Sequence, residues 1–145
     1  MTAIRFANAV PADARAIKDC IAAAYSKVRE SIDDLPDVTA GIPQEIAENQ
    51  VVLAWTGADL GGVIIYAQSN GAMKVINLAV SPKAQGQGIA GKLLKRAEDA
   101  ARQAECTHME LRTHRQMQDT RAIYAHLGWR ETEVAGNSVA MIKEL

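Results

Sequence analysis

The chain has 145 residues, of which 48% are hydrophobic and 23% are charged, values typical of one globular domain with its own core. The 16 basic and 17 acidic residues give a net charge of −1, which excludes the strongly basic surface of a nucleic-acid-binding protein. No apolar run approaches the length of a membrane span, and the first residues lack the apolar stretch of a signal peptide. We therefore expect a cytoplasmic protein with no nucleic-acid or membrane partner.

The first predicted elements are a short strand and a helix. Ile4 and Phe6 indicate the strand, and Asn8 followed by Pro11 indicates the start of the helix. The apolar stripe of this helix consists of Ile17, Ile21, Ala24, Tyr25 and Val28. Cys20 lies within this helix and Cys106 lies far away in another apolar context, so we expect two buried, reduced thiols rather than a disulfide or a metal pair.

The segment from Glu30 to Glu48 is acidic and has no regular apolar period. Pro36, Gly41 and Pro43 interrupt it, and no basic residue lies between its two ends. One interpretation is a solvated, partly helical connection. The other is an acidic wall over a site for a cationic amine. Its acidic residues are Glu30, Asp33, Asp34, Asp37, Glu45 and Glu48.

Strand patterns occupy the middle of the chain. Residues 51–55 and 63–67 are predicted as a hairpin joined through the glycine-containing segment 57–62. The turn at 68–71, which contains Asn-Gly, leads to a further strand that starts at Val75.

A buried strand, a glycine-rich turn and a long amphipathic helix follow one another between Val75 and Ala104. The strand is apolar except for Asn77, and it ends at Ser81 and Pro82. Its following helix has an apolar stripe made of Ile89, Leu93, Leu94, Ala97, Ala100, Ala101 and Ala104. A glycine-rich turn before a helix presents several N–H groups and the positive end of the helix dipole to one point. The pattern therefore predicts a binding site for phosphate or pyrophosphate.

The last third of the chain alternates again. Residues 109–113 are predicted as a strand, and 119–127 as a helix that stops at Gly128. Residues 129–134 and 139–143 are predicted as a closing strand pair. This order of elements favours an α+β fold whose sheet is mostly antiparallel with one parallel neighbour.

The glycines at positions 86, 88 and 91 also match the dinucleotide-binding pattern G-x-G-x-x-G. Glu110, which lies 19 residues after the last of them, stands near the position of a ribose-binding acid. Three facts weaken this interpretation: five residues separate the strand from the first glycine, 74 residues precede Val75, and only 54 residues follow Gly91. The dinucleotide interpretation is therefore the weaker one.

Two motifs give the chain a family resemblance. Residues 85–90, Gln-Gly-Gln-Gly-Ile-Ala, resemble the acetyl-CoA-binding motif of the GNAT N-acetyltransferases, Gln/Arg-x-x-Gly-x-Gly/Ala. Residues 124–129, Tyr-Ala-His-Leu-Gly-Trp, resemble the aromatic-x-x-x-Gly-aromatic motif near the C-terminus of that family. The resemblance implies a single GNAT domain over residues 1–145, with six to seven strands and about four helices. It also implies acetyl-CoA as co-substrate, without a metal.

The resemblance assigns roles to residues of both motifs. It implies that the strand before the glycine turn binds the pantetheine arm, that the turn binds the pyrophosphate, and that Tyr124 protonates the departing thiolate. We expect Thr120 to make a cofactor contact that relatives make through an asparagine at the start of the last helix. The other expected cofactor-binding residues are Leu78, Ala79, Val80, Gln85, Gly86, Gln87, Gly88, Ile89, Ala90 and Gly91.

The acceptor and the general base stay open at this point. Many relatives carry a glutamate on the central strand, where this chain has Ile76 and Asn77, and both Glu110 and His114 are conceivable bases. The predicted activity is direct transfer of an acetyl group to a primary amine of a small molecule or peptide. Without a base, the alternative is a non-catalytic acyl-CoA sensor. The family resemblance leaves a homodimer open.

Overall fold

Seven strands form one sheet in the computed structural model, which describes residues 3–31 and 41–145. The strand order is β1-β2-β3-β4-β5-β7-β6, and only the pair of β4 and β5 is parallel. The strands are β1 Ile4–Asn8, β2 Gln50–Thr56, β3 Asp59–Ser69, β4 Ala72–Val80, β5 His108–His114, β6 Arg130–Ala135 and β7 Ser138–Glu144.

Four α-helices cover the sheet in the described ranges. They are α1 Ala14–Ser31, α2 Ile42–Glu48, α3 Ile89–Gln103 and α4 Gln118–His126, and a 3₁₀ turn at Pro11–Asp13 precedes α1. Helices α1 and α2 pack on one face of β2 to β4, while α3 lies on the opposite face. The predicted α+β fold is confirmed. Neither these helices nor the short turns that the structure describes offer a stretch long and apolar enough to cross a bilayer.

The core is divided by the sheet into two clusters. Ile17, Ile21 and Leu53 belong to the α1 side, whereas Ile89, Leu93 and Met109 are buried on the α3 side. Cys20 lies in the first cluster and Cys106 in the second, and both are buried and free, as predicted.

Strand β3 corrects the predicted hairpin. Gly61 and Gly62 lie inside this strand rather than in the connection, and the turn consists of Gly57 and Ala58 alone. An ideal Cβ on Gly62 would come within 2.6 Å of Ile89 Cγ2. The strand glycines therefore allow the start of α3 to lie close against the sheet, a common reason for glycine in a strand.

Helix α2 occupies the second half of the acidic segment, which agrees with a partly helical connection. Glu45 and Glu48 belong to this helix. Asp33, Asp34 and Asp37 lie outside the described residues, so the hypothesis of an acidic wall stays untested.

Candidate active site

Strands β4 and β5 pair only at one end. Their register runs from Ala72 opposite His108 to Val75 opposite Leu111 and then stops, although β4 continues to Val80 and β5 to His114. Ile76 is skipped in the pairing of β4 with β3 and so forms a β-bulge. A bulge bends its strand and increases the local twist. The divergence of the two strands opens a wedge-shaped cleft in the middle of the sheet.

Backbone groups of β4 point into this cleft. The Ser81 N–H donates to the Gly61 oxygen at 2.8 Å, toward β3. Successive residues of an antiparallel strand alternate between hydrogen-bonded and non-hydrogen-bonded pairs. The N–H groups of Leu78 and Val80 therefore point away from β3 into the cleft, and that of Ala79 points toward β3. Two donors of β4 are thus available to a ligand.

A cavity of about 270 Å³ fills the cleft. Of the predicted site residues, the structure brings six to its walls: Leu78, Ala79, Val80, Gln85, Thr120 and Tyr124. The remaining wall is made of Ala24, Tyr25, Val75, Ile76, Asn77, Leu111, Arg112, Thr113 and Met117. The cavity therefore extends from α4 on one face of the sheet to α1 on the other.

The end of α4 explains the spacing of the Tyr-x-x-x-Gly-Trp motif. Gly128 has a φ of +98°, the left-handed conformation that ends many helices. The Trp129 N–H donates to the Tyr124 oxygen at 3.0 Å, and the Gly128 N–H donates to the Ala125 oxygen at 3.2 Å. These two bonds form a Schellman motif, in which a hydrophobic contact joins the same two positions. Accordingly, the rings of Tyr124 and Trp129 pack edge to face with centroids 5.6 Å apart.

Tyr124 remains a phenol at neutral pH. Its ring is buried, and burial together with the neighbouring Tyr25 phenol raises the pKa of Tyr124 well above its ordinary value. A phenol with such a pKa can donate a proton but is a poor source of phenolate.

The glycine turn begins α3 with free N–H groups. Gly86 and Gly88 have φ of +86° and +73°, and no side chain in the described ranges caps the helix. The N–H groups of Ile89, Ala90 and Gly91 belong to the first turn, where no helical acceptor exists. A pyrophosphate fits such a turn because the N–H groups and the helix dipole converge there.

The glycine turn lies beside the cavity rather than in it. Gln85 alone reaches the cavity wall, and the side chain of Ile89 is buried in the core. Gly86 and Gln87 are exposed, and Ala90 is half-buried. Gly88 and Gly91 border a second cleft, of about 660 Å³. The cofactor-binding role of these residues stays a prediction.

Two residues at the cavity were not predicted as site residues. Tyr25 fits the apolar stripe of its helix, so its position at the cavity depends on how α1 lies on the sheet. Asn77 is the single polar residue in the apolar strand, and that interruption could have identified it. Glu110 instead lines a different cavity of about 440 Å³, and His114 borders neither of these two cavities.

The sequence comparison settles the family. A profile described as the Acetyltransferase (GNAT) family matches residues 21–129. The chain belongs to the GNAT family. Comparison with curated proteins found no match. The family and the cleft together make the protein an acetyltransferase that uses acetyl-CoA as co-substrate.

Solved structures of GNAT proteins share the fold over almost the whole chain. The PaiA N-acetyltransferase of Thermoplasma acidophilum, solved with coenzyme A, is 16% identical with a TM-score of 0.89, and the match covers 99% of each chain. The ribosomal-protein-S18-alanine N-acetyltransferase of Escherichia coli is 15% identical with a TM-score of 0.80, and the match covers 98% of this chain and 94% of that one. At these identities the likeness establishes the fold.

Proposed function

We propose that residues 1–145 form one catalytic domain that transfers the acetyl group of acetyl-CoA directly to a primary amine. The observation that carries this proposal is the cavity between β4 and β5. The Val80 N–H, which has no strand partner on that side, and the Tyr124 side chain both border this cavity. Acyl transfer needs a donor for the carbonyl oxygen and an acid for the leaving group, and these two groups supply them.

The co-substrate supplies a thioester carbonyl, which the amine attacks, and a thiolate that leaves. The Val80 N–H is the proposed donor to the carbonyl oxygen, where negative charge develops. Since its direction is fixed by the pairing of β3 and β4, little reorganisation is needed during the reaction. The Leu78 backbone, which points the same way, is suited to hold the pantetheine arm.

Tyr124 is the proposed acid for the thiolate. Its pKa is raised by burial, so the proton stays on the oxygen until a stronger base than water is beside it. The ring contact with Trp129 and the backbone bond to the same residue hold the phenol in place. Neither cysteine borders the cavity, and burial raises the pKa of Cys20 to about 11, which argues for direct transfer rather than an acyl-cysteine.

Ligand-dependent unfolding and thiol release test the proposal together. The purified protein is heated alone and with acetyl-CoA, CoA or NAD. A ligand at about 100 times its Kd adds about 2.7 kcal/mol, which corresponds to about 5–10 °C in a domain of this size. We expect this rise with acetyl-CoA and CoA but not with NAD. Incubation with acetyl-CoA and a panel of primary amines should then release free CoA thiol at a rate that depends on the amine.

The two measurements separate the competing hypotheses. No rise with either CoA species would contradict the proposal, and a rise with NAD alone would favour dinucleotide binding. A rise with acetyl-CoA but no thiol release with any amine would favour an acyl-CoA sensor.

A further inference from the structure

Asn77 carries an unsatisfied polar atom in the cavity wall. The residue is 9% exposed, and its Oδ1 is buried without a hydrogen-bond partner in the part of the chain that the structure describes. Leaving a buried amide oxygen unpaired costs about 1–3 kcal/mol. Buried polar groups in folded proteins are nearly always paired, so the exception requires an explanation.

The position of Asn77 connects this oxygen with the incoming amine. Asn77 and Ala79 belong to the face of β4 that α1 covers, and Tyr25 of α1 borders the same cavity. Tyr124 approaches the cavity from α4, and Trp129, its packing partner, lies in the core cluster of the opposite face. The side opposite the proposed acid is thus the side from which an amine can approach the reacting carbon. Rotation about χ2, which is soft for asparagine, turns Oδ1 toward the cavity.

From these contacts we infer that Asn77 Oδ1 accepts a hydrogen bond from an N–H of the acceptor amine and so directs the nitrogen lone pair toward the acetyl group. The inference rests on the proposed function. It assigns to Asn77 an orienting role rather than that of a base, because a neutral amide cannot take up the proton. The unpaired oxygen of the free protein then gains its partner only when the amine is bound.

The experiment compares Asn77→Leu with Asn77→Asp. Leucine has a similar size and removes the polar atoms, whereas aspartate keeps an oxygen in place. The rate of thiol release is measured against amine concentration, using the fastest primary amine found with the wild-type protein. Binding of acetyl-CoA and the melting temperature are measured on the same samples. Asn8→Leu, which alters an exposed asparagine away from the cavity, is the matched control.

We expect Asn77→Leu to raise the KM for the amine about 5- to 30-fold, the effect of a lost hydrogen bond worth 1–2 kcal/mol. Its acetyl-CoA affinity should stay within twofold and its melting temperature should rise, because the unpaired oxygen is gone. Asn77→Asp should keep the KM nearer to the wild-type value.

Three results would overturn the inference. An unchanged KM in Asn77→Leu would exclude the hydrogen bond, and an equal loss in Asn77→Asp would exclude the oxygen as its cause. A parallel loss of acetyl-CoA affinity would assign the atom to the co-substrate instead. If the wild-type protein itself releases thiol with no amine of the panel, the proposed function fails, and the inference fails with it.

Discussion

At the scale of single residues, Tyr124 offers the cleanest test of the proposed chemistry. Its contacts with Trp129 use the ring and the backbone, so loss of the hydroxyl leaves the packing intact. General acid catalysis contributes about 10²- to 10⁴-fold. Tyr124→Phe should therefore lower kcat at least about 100-fold while the Kd of acetyl-CoA stays within twofold. Steady-state kinetics and calorimetric titration measure the two values.

Tyr66→Phe is the control for Tyr124→Phe. Tyr66 is also buried, and burial raises its pKa, but it borders the cleft beside α3 rather than the cavity between β4 and β5. Its kcat should match the wild-type value. Equal losses in both variants would mean that the hydroxyl of Tyr124 has no special role.

Cys20 links the stability of the protein to alkaline pH. Burial raises the pKa of this thiol from 9.0 to about 11. As the pH rises, the unfolded chain loses the proton first, so the contribution of Cys20 is complete below about pH 9 and is lost by about pH 11. A difference of this size corresponds to about 2–3 kcal/mol.

Cys20→Ala should therefore lose less stability than the wild-type protein between pH 8 and pH 11. The free energy of unfolding is measured with urea at both values, and the difference between the two proteins cancels the titration of other groups. Parallel losses would show that the thiol ionises equally in the folded and unfolded states.

At the scale of elements, the glycines around α3 should respond to alanine with opposite signs. A Cβ on Gly91 meets no atom within 4 Å, and the residue has ordinary helical φ. Gly91→Ala should raise the free energy of unfolding by about 0.5–1 kcal/mol, the difference in helix propensity. If the pyrophosphate lies against this turn, the added methyl group should weaken CoA binding. Urea unfolding and calorimetric titration check the two effects.

Gly62→Ala is the counterpart in β3. Its Cβ would lie 2.6 Å from Ile89 Cγ2 and 3.2 Å from the Ala79 oxygen. Overpacking of this kind costs about 1–3 kcal/mol. A neutral Gly62→Ala would mean that α3 can move away from the sheet at no cost.

Local sequence patterns predicted most elements because their signals lie within the elements themselves. The apolar stripe from Ile89 and the stop at Gly128 placed α3 and the end of α4 within a residue or two. Gly61 and Gly62 were wrongly assigned to a turn because their role depends on Ile89, which is distant in sequence. Neither could periodicity reveal that Tyr25 reaches the cavity, since only the packing of α1 on β4 decides it.

At the scale of the whole molecule, the cleft divides the sheet into two parts, β1 to β4 and β5 to β7. The parts share only the four register pairs between β4 and β5. Helix α3 packs on β3 and β4 and also contacts β5, so it joins the two parts. The two sequence motifs identified the family and hence this topology, but the divergence itself depends on the bulge at Ile76, for which the apolar run around it gives no signal.

An ion pair between α3 and β7 adds to this connection. Lys143 Nζ lies 2.8 Å from Glu98 Oε1, and the side chains are 28% and 13% exposed. The angles between these groups fall outside hydrogen-bond geometry, so the contact is an ion pair alone. Arg102 is the other nearby cation, at 3.9 Å from the same oxygen.

A double-mutant cycle with Glu98→Gln and Lys143→Met should give a coupling energy of about 1–3 kcal/mol, since either single change leaves a half-buried charge without its partner. The matched pair on the same helix is Lys95 and Asp99, which are 2.7 Å apart with side chains 65% and 52% exposed. Its cycle should give about 0.5 kcal/mol or less, because water screens exposed pairs. Urea unfolding of both sets of variants measures the two energies. Equal couplings would mean that burial does not strengthen the contact and that α3 holds the two parts of the sheet by apolar packing alone.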